Sequence, residues 1–398
     1  MKTHFFNIKL LCILLFLAAS PQMAHSFCGF YVAGAGTSLF NKSSEVILVR
    51  DGDKTVVTMS NDYKGDISEF AMVVPVPVLL KESDIKVVDN SIFETIGAYS
   101  APRLVEYHDV NPCQKYELLM NKSSVNEVAM FMDSDMEESI EEKDYNVTIE
   151  ARYEVGEYEI LILSAQESDG LKRWLTDNDY HIPAKAEEVL DPYIKSDMKF
   201  FVAKVNINKM PDPNRPSPIQ IAYNHPKFML PIRLGMANST GEQDLIVYGF
   251  TRTGRIECTN YRTVKMPTAN KIPEFVEPRF GEFYTDVFDK AYESNNKNAV
   301  FLEYAWNVSP QAGMKCDPCI APPPIFADFQ KAGVNWVTGM NSTSKVFFTR
   351  LHVRYGRKKF PQDLQFQVTP NNENYQARYI VTRPATGDMS CDAGQQYM

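Results

Sequence analysis

After its first 26 residues the chain has no apolar run approaching the roughly 18 residues of a membrane-spanning helix, because charges interrupt every candidate stretch. No stable membrane span is therefore expected in the remainder. A long basic run is also missing, and the formal charge is −9, which repels phosphate backbones and argues against nucleic-acid binding. Catalytic signatures are absent as well: there is no Gly-x-Ser-x-Gly elbow, no His-Glu-x-x-His helix and no phosphate loop. Gly34-Ala-Gly36 is the one glycine pair resembling a dinucleotide loop, and no strand precedes it. Histidine is sparse. Past residue 26 it occurs only as His108, His181, His225 and His352, without metal-ligand spacing, so neither a metal nor another cofactor is predicted.

What is present starts at the N-terminus. Lys2 and Lys9 make a positive start, Leu10 to Ala19 is a short apolar core, and Ala24-His25-Ser26 supplies a cleavage site before Phe27. Residues 1–26 thus read as a secretory signal peptide, and the protein as secreted or periplasmic. His25-Ser26-Phe27 lacks the small pair that a lipoprotein cut before Cys28 would want, so a free mature chain is expected. Cleavage leaves 372 residues with a formal charge of −11. Of seven cysteines, Cys12 lies in the signal, and Cys28, Cys113, Cys258, Cys316, Cys319 and Cys391 remain. An even number in an exported chain predicts up to three disulfides, with Cys316 to Cys319 the favoured pair and the other four closing longer loops. Six Asn-x-Ser/Thr triplets would carry glycans only in a eukaryotic secretory pathway.

The periodicity is mostly that of strands. Glu45-Val-Ile-Leu-Val-Arg50 and Thr55-Val-Val-Thr-Met59 flank Asp51-Gly52-Asp53, a hairpin signal. Val147, Ile149, Ala151, Tyr153 and Val155 alternate with polar residues, Gly156-Glu157 turns, and Tyr158, Ile160 and Ile162 resume. Phe70 to Pro77 reads as a buried strand ended by prolines, and further strands fall at 219–223, 245–251, 346–355 and 377–382. Helices are expected in one group only: Ser168 caps a helix carrying Leu171, Trp174 and Leu175, and Pro183 opens another with Ala186, Val189 and Leu190. Residues 133–144 hold seven acids against Lys143 and read as a solvated insertion; as a calcium loop they fail at the sixth position, where Glu138 replaces the required glycine. The fold class is α+β, with strand-dominated mixed sheets, a small helix-loop-helix unit and disulfide staples. A region 27–265 and a β-rich region 266–398 are expected to pack closely together.

Several motifs occur in a familiar order. Ala71-Met-Val-Val-Pro-Val-Pro77, Ala101-Pro-Arg103, Gly156-x-Tyr158, Leu171-x-x-Trp174-Leu175, Tyr180 and Pro183 are followed by Glu303-Tyr-Ala-Trp306 and Cys316-Asp-Pro-Cys319. Thr349-Arg-Leu-His-Val-Arg-Tyr355, Gln376-Ala-Arg-Tyr379 and Cys391 complete the set. Over essentially the whole mature chain this resembles the exported bacterial family called domain of unknown function 2330, with residues 133–144 as an insertion. The resemblance implies export and a shared fold, and brings no activity with it.

Three chemistries remain to be weighed. Cys316-Asp-Pro-Cys319 has the spacing of a redox dithiol, but Ile320-Ala-Pro-Pro-Pro324 follows and no helix can continue through it, so a stapled loop is expected. A hydrolase could use a pair of carboxylates, which are defined by separation in space, with Trp174, Trp306 or Trp336 as sugar platforms; each tryptophan sits among apolar residues and reads first as core. In Arg350 to Lys359 alternation places Arg350, His352 and Arg354 on one face and Leu351, Val353 and Tyr355 on the other. Extended by Arg357, Lys358 and Lys359, the cationic side is a candidate site for an anionic envelope polymer or an acidic protein, unless acids of neighbouring strands neutralise it. The leading function is that of a non-catalytic exported binding protein; the alternative is an extracytoplasmic enzyme, a carboxylate-dependent hydrolase or a thiol oxidoreductase using Cys316 and Cys319. N-terminal sequencing of the protein recovered from envelope or medium should start at Phe27, and finding Met1 to Ser26 intact there would overturn the export reading.

Overall fold

A computed structural model describes residues 30–32, 40–41, 44–60, 63–64, 71–109, 146–178, 186–212, 215–237 and 241–384. The predicted signal peptide, Cys28, Cys113, Cys391, the acidic stretch 133–144, and Tyr180, His181 and Pro183 lie outside the described residues.

Strands dominate, as the alternating patterns predict. Numbered in chain order, a five-stranded sheet is formed by β1 (Phe30–Val32), β6 (Ala71–Val76), β11 (Lys199–Val205), β10 (Tyr158–Ala165) and β9 (Val147–Val155), in that spatial order. A nine-stranded sheet runs β16 (Arg262–Lys265), β18 (Ala299–Asn307), β19 (Phe347–Tyr355), β14 (Gln243–Thr251), β3 (Ser44–Asp51), β4 (Lys54–Met59), β12 (Ile219–Asn224) and β7 (Ile85–Val87), with β21 (Tyr375–Gln376) also on β18. Strands from both sides of residues 265/266 belong to this one sheet. Smaller sheets join β13 (Met229–Leu230), β20 (Leu364–Val368) and β15 (Ile256–Cys258), then β17 (Asn270–Lys271), β22 (Arg378–Arg383) and β8 (Arg103–His108), and β2 (Phe40–Asn41) with β5 (Tyr63–Lys64).

The strand sequences explain the layers. Val46 and Leu48 of β3 face Val74, Ile160 and Phe201 of the other sheet, whereas Ile47 and Val49 pack on Ile92, Phe93, Ile96 and Phe329. A strand buried on both faces reads as an unbroken apolar run, which Val46-Ile-Leu-Val49 is. The main core therefore lies between the two large sheets. On the outer face of the five-stranded sheet, α2 (Ser168–Asp177) and α3 (Ala186–Ile194) bury Leu171, Trp174, Leu175, Leu190 and Tyr193 against Val73, Leu163 and Phe200. This is the predicted helix pair, although Ser168 begins its helix instead of capping it. Pro75 lies inside β6 rather than ending it, and β1 reaches along β6 only as far as Val73, so the proline sits where a missing N–H is tolerated.

The expectation of a single helix group is corrected here. Helices α1 (Ser91–Ser100), α4 (Phe280–Ser294) and α5 (Phe326–Lys331) cover the outer face of the nine-stranded sheet. Helix α4 escaped notice because its fully buried residues are only Phe288 and Tyr292, one turn apart, and aromatic residues are indifferent helix formers. Its helicity is decided by what it lies on.

At the β9–β10 turn Gly156 has φ +60°, and a Cβ there would come within 2.8 Å of Val87 Cγ2. Gly156→Ala should lower the unfolding free energy by about 1–3 kcal/mol in denaturant titrations, since left-handed strain adds to a displaced β7. An unchanged midpoint would show that this turn is not held in the left-handed form.

Candidate functional site

Strand β19 carries the predicted cationic face, and its alternation is as expected: Leu351, Val353 and Tyr355 point into the main core. The opposite side is covered. Glu303, 1% exposed at a bulge of β18, accepts from Arg350 Nε at 2.6 Å and lies 2.9 Å from His352 Nδ1. Asp244 of β14, the cross-strand partner of Arg354, lies 3.0 Å from His352 Nε2 and accepts from Arg354 Nε at 2.9 Å. Helix α4 closes the layer: Asp289 pairs with Arg354 at 2.5 Å, Tyr284 donates to Glu303 at 2.6 Å, and the Phe288 ring stacks on His352 at 3.9 Å between centroids. Arg350 also donates to the Gly97 carbonyl of α1.

Both ring nitrogens of His352 face carboxylates, an arrangement that suits an imidazolium donating twice. Burial alone would lower its pKa, but Glu303 and Asp244 outweigh it and the value is raised. For Glu303 burial pushes upward and is outweighed by Arg350 and His352, leaving it at about 2. Asp244 also falls to about 2, its burial outweighed by the His352 hydrogen bond and charge and then by Arg354. Three cations thus meet Glu303, Asp244 and Asp289, and the layer is neutral within itself. An incoming anion would have to displace these carboxylates. Of the rest of the stretch, Arg357 lies 3.5 Å from Glu188, and Lys358 and Lys359 are exposed in the turn after β19.

Cys316 and Cys319 form a disulfide, their Cα atoms 5.0 Å apart, and no helix begins until Phe326. Side chains grip the carbonyls of this loop. Trp306 donates to Met314, Tyr99 and Tyr304 to Lys315, Arg378 and Gln376 to Asp317, and Arg103 to Pro318. Cys258 is buried, which pushes its thiol up to about 11. No described cysteine is bonded to it, and Cys28, Cys113 and Cys391 fall outside the described residues. Among the described residues no group of three His, Cys, Asp or Glu side chains is placed to hold a metal.

A concavity opens where the helices stop covering the nine-stranded sheet. Along β4 and β12 the inward residues are Val57, Met59, Ile219 and Ile221, so the outward ones, Lys54 with Asn224, Val56 with Ala222 and Thr58 with Gln220, form a floor. Lys86 of β7 stands opposite Gln220. One wall is the segment from Val78 to Asp84; the other is the turn after α5, with Gly333, Asn335 and Trp336. The cavity measures about 350 Å³ and continues into a second of about 140 Å³ that shares Lys54, Val56 and Asn335. Gly333, at φ +86°, rests directly on the sheet: a Cβ would lie 2.8 Å from Val56 Cγ1. Gln220 fixes the same turn by donating to Thr58 Oγ1 and the Lys331 carbonyl.

The groove's charges are unevenly satisfied. Arg252 clasps Asp51 through two hydrogen bonds of 2.6 and 2.7 Å and lies 4.7 Å from the Trp336 ring. Among the described residues Lys54 and Lys86 have no carboxylate within 4 Å, and the amides of Asn224 and Asn335 have no hydrogen-bond partner. A second cleft of about 350 Å³ lies beside Glu154, Glu157, Glu159, Lys204 and Lys209, but there Lys209 is neutralised by Glu154 at 2.6 Å. Sequence reasoning missed Lys54, Lys86, Gln220 and Asn224. The signal was the polar half of the β4 and β12 alternation. All three tryptophans belong to the core, and Trp336 also borders the smaller cavity.

Two packed sheets flanked by helices, with a self-neutralised charge layer on one side and an open polar groove beside it, define a strand-dominated α+β protein with a ligand-sized concavity. The chain belongs to the family described as uncharacterized protein conserved in bacteria, domain of unknown function 2330, whose model matches residues 22–367. No curated protein and no solved structure matches it.

The charge layer predicts a pH dependence. The raised folded pKa of His352 contributes stability below its unfolded value of about 6.5, lost as the pH rises through the folded value; Glu303 and Asp244, lowered to about 2, contribute above about 4 and lose it as the pH falls toward 2. Urea unfolding of wild type and His352→Gln should therefore differ most near pH 5, with the gap narrowing at alkaline pH. A gap independent of pH would mean that His352 is neutral when folded.

Proposed function

We propose that the mature chain is exported and acts in the periplasm or outside the cell as a non-catalytic binding protein, its ligand lying in the groove over β4, β12 and β7. The observation that carries this reading is the joined cavity, large enough for a small ligand or a stretch of polymer and lined by lysines and amides that the protein itself leaves without partners. Polar groups of this kind are kept solvated until a ligand replaces the water. Export is supported by the charged start, short apolar core and Ala24-x-Ser26 site of the N-terminal sequence. No helix among the described residues is long and apolar enough to cross a membrane.

Two observations favour binding over catalysis. Glu303 and Asp244, the carboxylates that flank His352, are each paired with two cations, and Glu303, buried and bonded also to Tyr284, has no access to a substrate. The Cys316–Cys319 ring opens no helix whose N-terminus could stabilise a thiolate, unlike a dithiol site built for exchange.

Ala222→Trp places an indole on the floor of the groove, where Ala222 is half-buried opposite Val56. A panel of immobilised cell-envelope saccharides should retain the wild type on at least one member and fail to retain this variant, with equal melting temperatures. Retention of both alike, or of neither, would remove the groove as the binding site.

A further inference from the structure

We infer that the groove takes an acidic oligosaccharide, a sugar chain bearing spaced carboxylates or phosphates; this rests on reading the groove as the ligand site. The charge census selects the sign. Once Arg252 and Asp51 have neutralised each other, Lys54 and Lys86 remain against Asp84 alone, whose Oδ2 already accepts from the Lys81 backbone N–H. Two lysines against one carboxylate leave a surplus of positive charge in a chain of formal charge −9, a local inversion, and neither lysine is in an ion pair among the described residues.

Spacing selects an oligomer. Lys54 and Lys86 stand on the two strands flanking β12, opposite Asn224 and Gln220. At about 3.4 Å per residue and about 4.8 Å between strands, their Cα atoms are about 17 Å apart, too far for one sugar acid to meet both. Chemistry of the lining selects a saccharide over an acidic peptide. Between the two cations lie the side-chain amides of Asn224 and Asn335 and the hydroxyl of Ser83, which donate and accept at fixed angles as sugar hydroxyls require. At the centre of the floor the strands are already paired on both sides, β4 between β3 and β12 and β12 between β4 and β7, so between the two cations there is no free ladder to offer a peptide backbone.

Calorimetric titration of the mature protein with oligogalacturonate, with its methyl ester, and with a phosphorylated oligomannoside tests this. At least one of the two acidic sugars should bind, with affinity that falls as salt is added, and whichever does so identifies the anion. The ester should bind more weakly. Lys54→Gln with Lys86→Gln should cost about tenfold in affinity, two exposed ion pairs being lost, with no change in melting temperature. If the ester binds as tightly as the acid, or the double variant is unaffected, while Ala222→Trp still abolishes binding, the acidic class is wrong and the groove stands. Binding that survives Ala222→Trp overturns the groove itself, and absence of binding by both acidic sugars overturns the inference.

Discussion

The Glu303 carboxylate is the point on which the outer layer of this protein turns. Ionised and 1% exposed, it could not be buried without compensation, and it draws that compensation from three directions: Arg350 and His352 on β19 and Tyr284 on α4. Each partner passes the constraint on. His352 reaches Asp244, Asp244 fixes Arg354, and Arg354 reaches Asp289 on α4, while Arg350 reaches the Gly97 carbonyl of α1. Two helices are thereby registered on one sheet by directional contacts. Removing one partner leaves a buried charge unpaired, at a cost of about 3–5 kcal/mol for pairs of this kind, whereas an apolar layer of equal volume would be no less stable. What the charges supply is position: α4 buries only Phe288 and Tyr292 completely, and packing that sparse would tolerate sliding.

The same layer separates the two roles open to a cationic strand. Cations on β19 sit under a helix with acids within reach on β14 and β18, so they serve the interior. Lysines on β4 and β7 sit where α5 has ended, with Gly333 pressed on Val56 and no carboxylate in contact with them among the described residues, so they face solvent. The groove exists because helical cover stops at that turn. Its walls are held from beneath, by Gln220 on the Lys331 carbonyl and by the Lys81 N–H bonded to Asp84, so the lining is arranged before any ligand arrives, which lowers the entropy to be lost on binding.

The loop closed by Cys316 and Cys319 shows the same economy. Six side chains from β8, β18, β21, β22 and α1 hold its carbonyls, and the disulfide closes a path that these donors already define. Most of those donors, including Arg103, Tyr304, Trp306, Gln376 and Arg378, belong to the short motifs through which the sequence resembles its family. Much of that pattern therefore records how one loop is fastened, a structural role for residues that look chemical in isolation.

By itself the sequence determined what depends on near neighbours. Local patterning placed β3, β4, β9, β10, β12, β14 and β19 to within a few residues, and Asp51-Gly52 and Gly156 marked the β3–β4 and β9–β10 turns. It also set which residues of β19 share a side. Only the tertiary structure decided what that side meets, because Glu303 and Asp289 lie at least 47 residues from the cations they pair with and no local pattern links them. Helix α4 was invisible for the same reason, its conformation being stabilised by the sheet and not by its own composition. Lys54 and Lys86 looked like ordinary solvated strand residues. Their place on one floor follows from long-range pairing of β4, β12 and β7, a property that exists only once the chain has folded.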